Sequence, residues 1–177
     1  MKISYAITAC NEYAELEQLL YFLIDEIREE DEIVVVVDEG NVHNKVLELF
    51  HYITDSEPDV NLTWYAHPLN KDFAQQKNFL NSKCNGSYIF QIDADEIPHK
   101  FLINSLPAVL RENPDCEVYW VPRVNTVKGL TENHIQKWGW KVDKKKWVNF
   151  PDYQMRIYKN NVDIKWEKPV HEQLVGY

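Results

Sequence analysis

Three carboxylates, Asp93, Asp95 and Glu96, close the apolar run Tyr88-Ile-Phe-Gln-Ile92. The run reads as a buried strand, and ligands bind at strand ends in α/β sheets. Two acids spaced i, i+2 at such an end suit a hard divalent cation, Mn2+ or Mg2+, with oxygen ligands. That cation can hold a diphosphate and improve it as a leaving group. The chemistry to expect is metal-dependent and directed at a nucleotide diphosphate. The plainer expectation is that the same acids favour the first turn of the helix that follows.

The elements that must position these acids alternate along the chain. Ile3 to Thr8 is a short β-rich run, followed by Leu16, Leu19, Leu20, Leu23, Ile24 and Ile27 at helical spacing to about Arg28, with Asn11 as a good N-cap. Ile33 to Val37 is a β-branched run suited to a strand buried on both faces. A turn at 38–41 leads into a helix carrying Val42, Val46, Leu47, Leu49 and Phe50, and 61–66 reads as a third strand. Phe73 to Cys84 looks helical, with Phe73, Ala74, Phe79 and Leu80 inward, Gln75, Gln76, Lys77 and Asn78 outward, and Asn85-Gly86 ending it. A helix over 98–112, kinked or interrupted at Pro107, and a strand over 117–127 follow, then short strands at 153–158 and 162–166. This alternation predicts an α/β fold with a mostly parallel central sheet. One domain over 1–177 is expected, with its last third specialised: residues 137–150 are basic and aromatic inside an acidic chain.

Composition bounds the function. The net charge of −9 argues against sequence-independent nucleic-acid binding, so a phosphorylated ligand needs a cation or a local basic patch. No stretch approaches the roughly 18 consecutive apolar residues of a membrane span, and the N-terminus lacks the long apolar core of a signal peptide. Cys10, Cys84 and Cys116 are odd in number and lack metal spacing, which predicts free thiols in a reducing cytoplasm.

Four segments, in order, resemble family-2 glycosyltransferases of the GT-A fold, and among them the lipopolysaccharide-core glucosyltransferase-like subgroup. They are Ile7-Thr-Ala-Cys-Asn-Glu12; Val35-Val-Val-Asp-Glu-Gly-Asn41; Phe73-Ala-Gln-Gln-Lys-Asn78 with Gly86-Ser-Tyr-Ile-Phe-Gln-Ile-Asp-Ala-Asp-Glu96; and Pro151-Asp-Tyr-Gln-Met-Arg-Ile-Tyr158 with Val170-His-Glu172. The resemblance implies a Rossmann-like sandwich whose residues 1–97 take a nucleotide-sugar donor, UDP-linked by preference, and whose residues 98–177 face a glycan or glycolipid acceptor. Related sequences run longer at the C-terminus, so the chain is expected to be a minimal member or a shortened one.

The same resemblance assigns roles. Asp93 and Asp95 form the DxD motif, with Asp95 on the metal and Asp93 near both the ribose of the nucleotide and the metal, and His171 is the third metal ligand, imidazole suiting Mn2+ beside carboxylates. Thr8, Cys10, Glu12 and Asp38 line the nucleotide, and Lys77 neutralises phosphate charge. Asp38 can accept from a uracil imide N–H, although Glu39-Gly40 replaces the usual Ser-Gly after it. Asp152 is the expected base for the acceptor hydroxyl, with Arg156 steadying it or the phosphates. Relatives carry Glu-Asp where Pro151-Asp152 stands, and Glu172 is the rival base.

Glu96, Trp138 and Trp140 are expected on the acceptor side. With Trp147 and Lys144-Lys145-Lys146 the tryptophans form a flap that stacks on a sugar ring, or touches anionic headgroups at the inner membrane surface. Two other readings stay open: an inactive nucleotide-sugar-binding scaffold, and a sugar-nucleotide nucleotidyltransferase, which would want a basic glycine-rich loop in place of Ala9-Cys10-Asn11-Glu12.

Overall fold

The computed structural model describes residues 1–177. The elements run β1 (Ile3–Ala9), α1 (Tyr13–Glu26), β2 (Glu32–Asp38), α2 (Asn44–Ser56), β3 (Leu62–His67), α3 (Phe73–Asn81), β4 (Tyr88–Asp93), α4 (Lys100–Glu112), β5 (Val118–Asn125), α5 (Glu132–Trp138), β6 (Val148–Lys159), β7 (Lys165–Glu167) and β8 (Gln173–Val175). Six strands form one sheet in the order β3-β2-β1-β4-β6-β5, and β7 pairs with β8 in a small hairpin. The first four strands are parallel, while β6 runs antiparallel to β4 and β5 antiparallel to β6. The fold is GT-A-like: α/β, with a mostly parallel but mixed sheet.

Period-2 alternation splits each central strand between two cores. Ile3, Tyr5 and Ile7 of β1 pack with Leu16, Leu19, Val46, Phe50, Ile103 and Leu106 on the face covered by α1, α2 and α4. Ala6, Val34, Val36 and Ile89 pack on the other face with Ala74 and Leu80 of α3 and with Trp166 and Leu174 of the hairpin. No helix is long and apolar enough to cross a membrane.

Several local expectations need correction. α1 ends at Glu26, with Ile27 extended, and its N-cap is Glu12 rather than Asn11. α3 ends at Asn81 with Ser82 as C-cap, so Asn85-Gly86 is not its terminator. Gly86 is needed for a different reason: a Cβ there would stand 2.6 Å from the Ser4 backbone nitrogen. α4 runs through Pro107, whose ring is buried. The separate strand expected at 153–158 is part of a twelve-residue β6, and α5, capped by the Thr131 hydroxyl, lies where only a flap was expected.

Candidate functional site

The strand order reverses at β1, which has β2 on one side and β4 on the other, so a crevice opens at the carboxyl ends of β1 and β4. Register places Thr8 beside Asp93 and Asp38 beside His67 at that edge. A cleft of about 440 Å3 lies there, lined by Thr8, Cys10, Glu12, Asp38, Gln76, Lys77, Asp93, Asp95, His171 and Glu172 among others. It gathers all the expected nucleotide and metal residues, with Glu172.

Each wall is held by backbone. Glu12 Oε2 accepts from the Cys10 and Asn11 N–H groups at 2.8 and 3.0 Å, which shapes the loop after β1. Asp38 accepts from Asn41 Nδ2 at 2.6 Å and from the Leu69 and Gly40 N–H groups at 3.1 and 3.3 Å. The Asn41 hydrogen bond, opposed by desolvation and aided by the two backbone donors, holds the Asp38 carboxyl below its ordinary pKa.

The opposite wall departs from the expected face of α3. Gln76 and Lys77 are buried, and Phe73 is 46% exposed and lines the cleft. A lysine is buried at low cost only when its charge is matched. Lys77 Nζ donates to Glu172 Oε1 at 2.5 Å and lies 4.5 Å from the centre of the Trp166 ring. Gln76 is satisfied by the ring and carbonyl of His67. Asn78 fastens the hairpin to α3: its amide donates to the Trp166 carbonyl and accepts from the Trp166 N–H, both at 2.8 Å. The Phe73 N–H donates to Pro169. The loop carrying His171, itself at φ 57°, is thereby laid over the cleft.

Asp93 is fastened on both oxygens. Gln91 Nε2 donates to Oδ1 and Arg156 Nη2 to Oδ2, each at 2.8 Å. Burial pushes the Asp93 carboxyl up, but Arg156 and Lys77 outweigh it and leave it below its ordinary pKa. Arg156 is the extra residue of a bulge in β6, since Trp120 pairs with Met155 and Tyr119 with Ile157. A bulge re-aims a side chain, and here the guanidinium reaches Gln91, Asp93 and Glu96 together.

From Glu96 the charges continue to Arg123 Nη1 at 3.4 Å, and from Arg123 Nη2 to Asp152 Oδ2 at 2.7 Å. Asp152 also accepts from Asn125 and Gln154. Its desolvation raises the carboxyl, yet the Asn125, Arg123 and Gln154 hydrogen bonds leave it below its ordinary pKa. Asp152 does not line the cleft, and neither do Glu96, Arg156, Trp138 or Trp140. Trp138 stacks on His134 at 5.2 Å and lies tilted against Trp140 at 4.7 Å.

Arg123, Gln91 and Asn125 escaped the sequence reading. Gln91 had a signal, being the one polar residue inside the run 88–92, and it is fully buried; buried polar residues are the informative ones. Arg123 and Asn125 occupy the half-buried face of β5, a pattern without meaning until β6 supplies Asp152. No three His, Cys, Asp or Glu side chains are gathered closely enough to hold a metal by themselves. Asp95 is exposed and lines the cleft with His171, which fits a cation completed by ligand oxygens.

The family model for glycosyl transferase family 2 matches residues 4–166. The chain belongs to glycosyl transferase family 2. The solved structures it resembles share its fold. The crystal structure of S. aureus TarS superposes with a TM-score of 0.66 at 17% identity, over 94% of this chain and 30% of that one. The structure of S. aureus TarS 1-349 in complex with UDP-GlcNAc gives 0.60 at 18% identity, over 74% and 36%. Mannosyltransferase PcManGT from Pyrobaculum calidifontis, in complex with GDP-Man and Mn2+, gives 0.57 at 17% identity, over 89% and 44%. The family-2 chain described here thus spans less than half the length of these three proteins. No curated protein matches it.

Proposed function

We propose that the chain transfers a sugar, with inversion, from a nucleotide-diphosphate sugar to a hydroxyl of a glycan or glycolipid. The observation that carries this reading is the buried Lys77–Glu172 pair, set in the same cleft as Thr8, Asp38, Asp95 and His171. Neighbours solved with UDP-GlcNAc and with GDP-Man support a nucleotide-sugar donor. UDP is favoured here, because Asp38 Oδ2 receives only Asn41 and keeps a lone pair for a uracil N–H. Thr8, Cys10 and Glu12 form the rest of the nucleoside wall.

Asp95 and His171 would hold a divalent cation, Mn2+ or Mg2+, which supplies charge neutralisation to the diphosphate when bound. Asp93 is fastened by Gln91 and Arg156 and orients this edge. Lys77 keeps donors beyond the one given to Glu172, and they offer positive charge to the phosphate oxygens.

The acceptor oxygen attacks the anomeric carbon opposite the leaving group. Its bond to that carbon forms as the bond to the β-phosphate oxygen breaks, and the electron pair leaves with the diphosphate. The hydroxyl proton passes to a carboxylate. Glu172 is the proposed base: it lines the cleft, whereas Asp152 lies outside and has its oxygens engaged by Arg123, Asn125 and Gln154. Asp152 then anchors the charge chain that ends at Asp93.

Val170-His171-Glu172 supports a place near the lipopolysaccharide-core glucosyltransferase-like subgroup, and so a role in surface glycan synthesis at the cytoplasmic face of the membrane. The test is release of nucleoside diphosphate from a panel of UDP- and GDP-hexoses with Mn2+, slow with water and accelerated by acceptor. Binding of a nucleotide sugar without any release would instead identify a non-catalytic binding protein.

A further inference from the structure

A second hollow, of about 250 Å3, adjoins the donor cleft and shares Lys77, Asp93, His171 and Glu172 with it. Its outer wall is Trp120 of β5 and Tyr153 of β6, with Arg123 and Gln154 beside them. Trp120 pairs with Met155 and Pro122 with Tyr153, so the two aromatics are diagonal neighbours on one face of the β5–β6 ribbon. They are 54% and 55% exposed. A single exposed ring is ordinary, but two adjacent ones lining a hollow beside a cleft form a surface a ligand can use. The tryptophans of the basic segment differ, since Trp138 lies against His134 and Trp140, and Trp147 against Phe150 and Lys145.

We infer that this hollow is the acceptor subsite, that it takes a pyranose ring, and that Trp120 and Tyr153 are its platform. The two faces of a pyranose differ from its rim: C–H groups on the faces suit aromatic surfaces, and hydroxyls around the rim suit carboxylate, amide and guanidinium partners. The lining offers that division: Trp120 and Tyr153 as aromatics, Gln154 and Arg123 as polar partners, and Glu172 shared with the donor cleft. A ring seated there presents one hydroxyl to Glu172. This rests on the proposed transferase reading for its direction of transfer, but not for its binding chemistry.

The test is saturation-transfer NMR on the full chain with methyl pyranosides of glucose, galactose, mannose and N-acetylglucosamine, with UDP and Mn2+ binding read on the same samples. At least one pyranoside should receive saturation through its ring C–H protons. Trp120→Ala and Tyr153→Ala should each cut that signal at least threefold, Trp120→Phe should retain most of it, and UDP binding should not change. Both positions are half exposed, so the variants should fold. No saturation in the wild type, or full retention in both alanine variants, overturns the inference. A change of sedimentation coefficient in Trp120→Ala also overturns it, by making this face a contact between copies. Pyranoside binding that depends on Trp120 without any UDP binding leaves the inference standing and removes the donor reading.

Discussion

Lys77 and Glu172 are 95 residues apart in the chain, and Lys77 Nζ stands 2.5 Å from Glu172 Oε1. The pair joins the helix that walls the cleft to the hairpin loop laid over it. With Glu172 as base, Glu172→Gln should lower turnover about 10²–10⁴-fold while leaving UDP affinity within a few-fold. Asp152→Asn should lower it much less. Steady-state kinetics with UDP-hexose, beside UDP titration, checks both; the reverse ranking would return the base to Asp152.

Arg156 supports three partners from one bulge. Removing it takes the ion-pair partner from Asp93 and leaves Glu96 with Arg123 alone, at 3.4 Å. Breaking a buried pair costs several kcal/mol, and Asp93 at 35% side-chain exposure recovers some solvation. Arg156→Met should cost about 3 kcal/mol of folding free energy and weaken UDP binding, as urea denaturation and titration would show.

Gly86 sits where β1 passes closest. Gly86→Ala should destabilise by about 1–3 kcal/mol, because its Cβ would meet Ser4 backbone. Gly40→Ala meets only Asp38 Oδ1 at 3.8 Å and should fall within about 0.5 kcal/mol. Equal effects in urea denaturation would contradict this.

Glu32 gives the fold an acid limit. Burial raises its carboxyl, but Lys2 at 2.6 Å, the Ser4 hydroxyl at 2.5 Å and the Asn85 N–H at 2.5 Å outweigh it and hold it below its ordinary pKa. The unfolded chain therefore takes up this proton first as pH falls, and the stabilisation, full above the ordinary carboxylate value of about 4.3, is lost below it. The stability difference between wild type and Glu32→Gln should be constant from pH 7 to 5 and shrink toward pH 3. A difference independent of pH would contradict it.

The central strands and the acidic end of β4 were legible because their signals are local. Ile33 to Val37 is apolar on every residue, and Asp93 and Asp95 lie at the end of one such run. What was misread depends on distant partners. Lys77 reads as surface until Glu172 arrives to neutralise it, and Phe73 reads as core until a cleft opens beside it. β6 broke into pieces in the sequence because Asp152, Gln154 and Arg156 interrupt its apolar pattern: Asp152 answers Arg123 of β5, Arg156 answers Gln91 of β4, and Gln154 donates to Asp152 within the strand. Trp138 and Trp140 share the aromatic character of a sugar platform, and their rings lie tilted against each other at 4.7 Å.

The most direct measurement is thermal unfolding with UDP, GDP and their sugars, with and without Mn2+, on wild type and Asp95→Ala. A ligand at a hundred times its Kd adds about 2.7 kcal/mol, roughly 5–10 °C for a chain of this size. The account predicts a rise with UDP that requires Mn2+ and disappears in Asp95→Ala. A well-folded wild type that no nucleotide stabilises in the presence of the metal would contradict it.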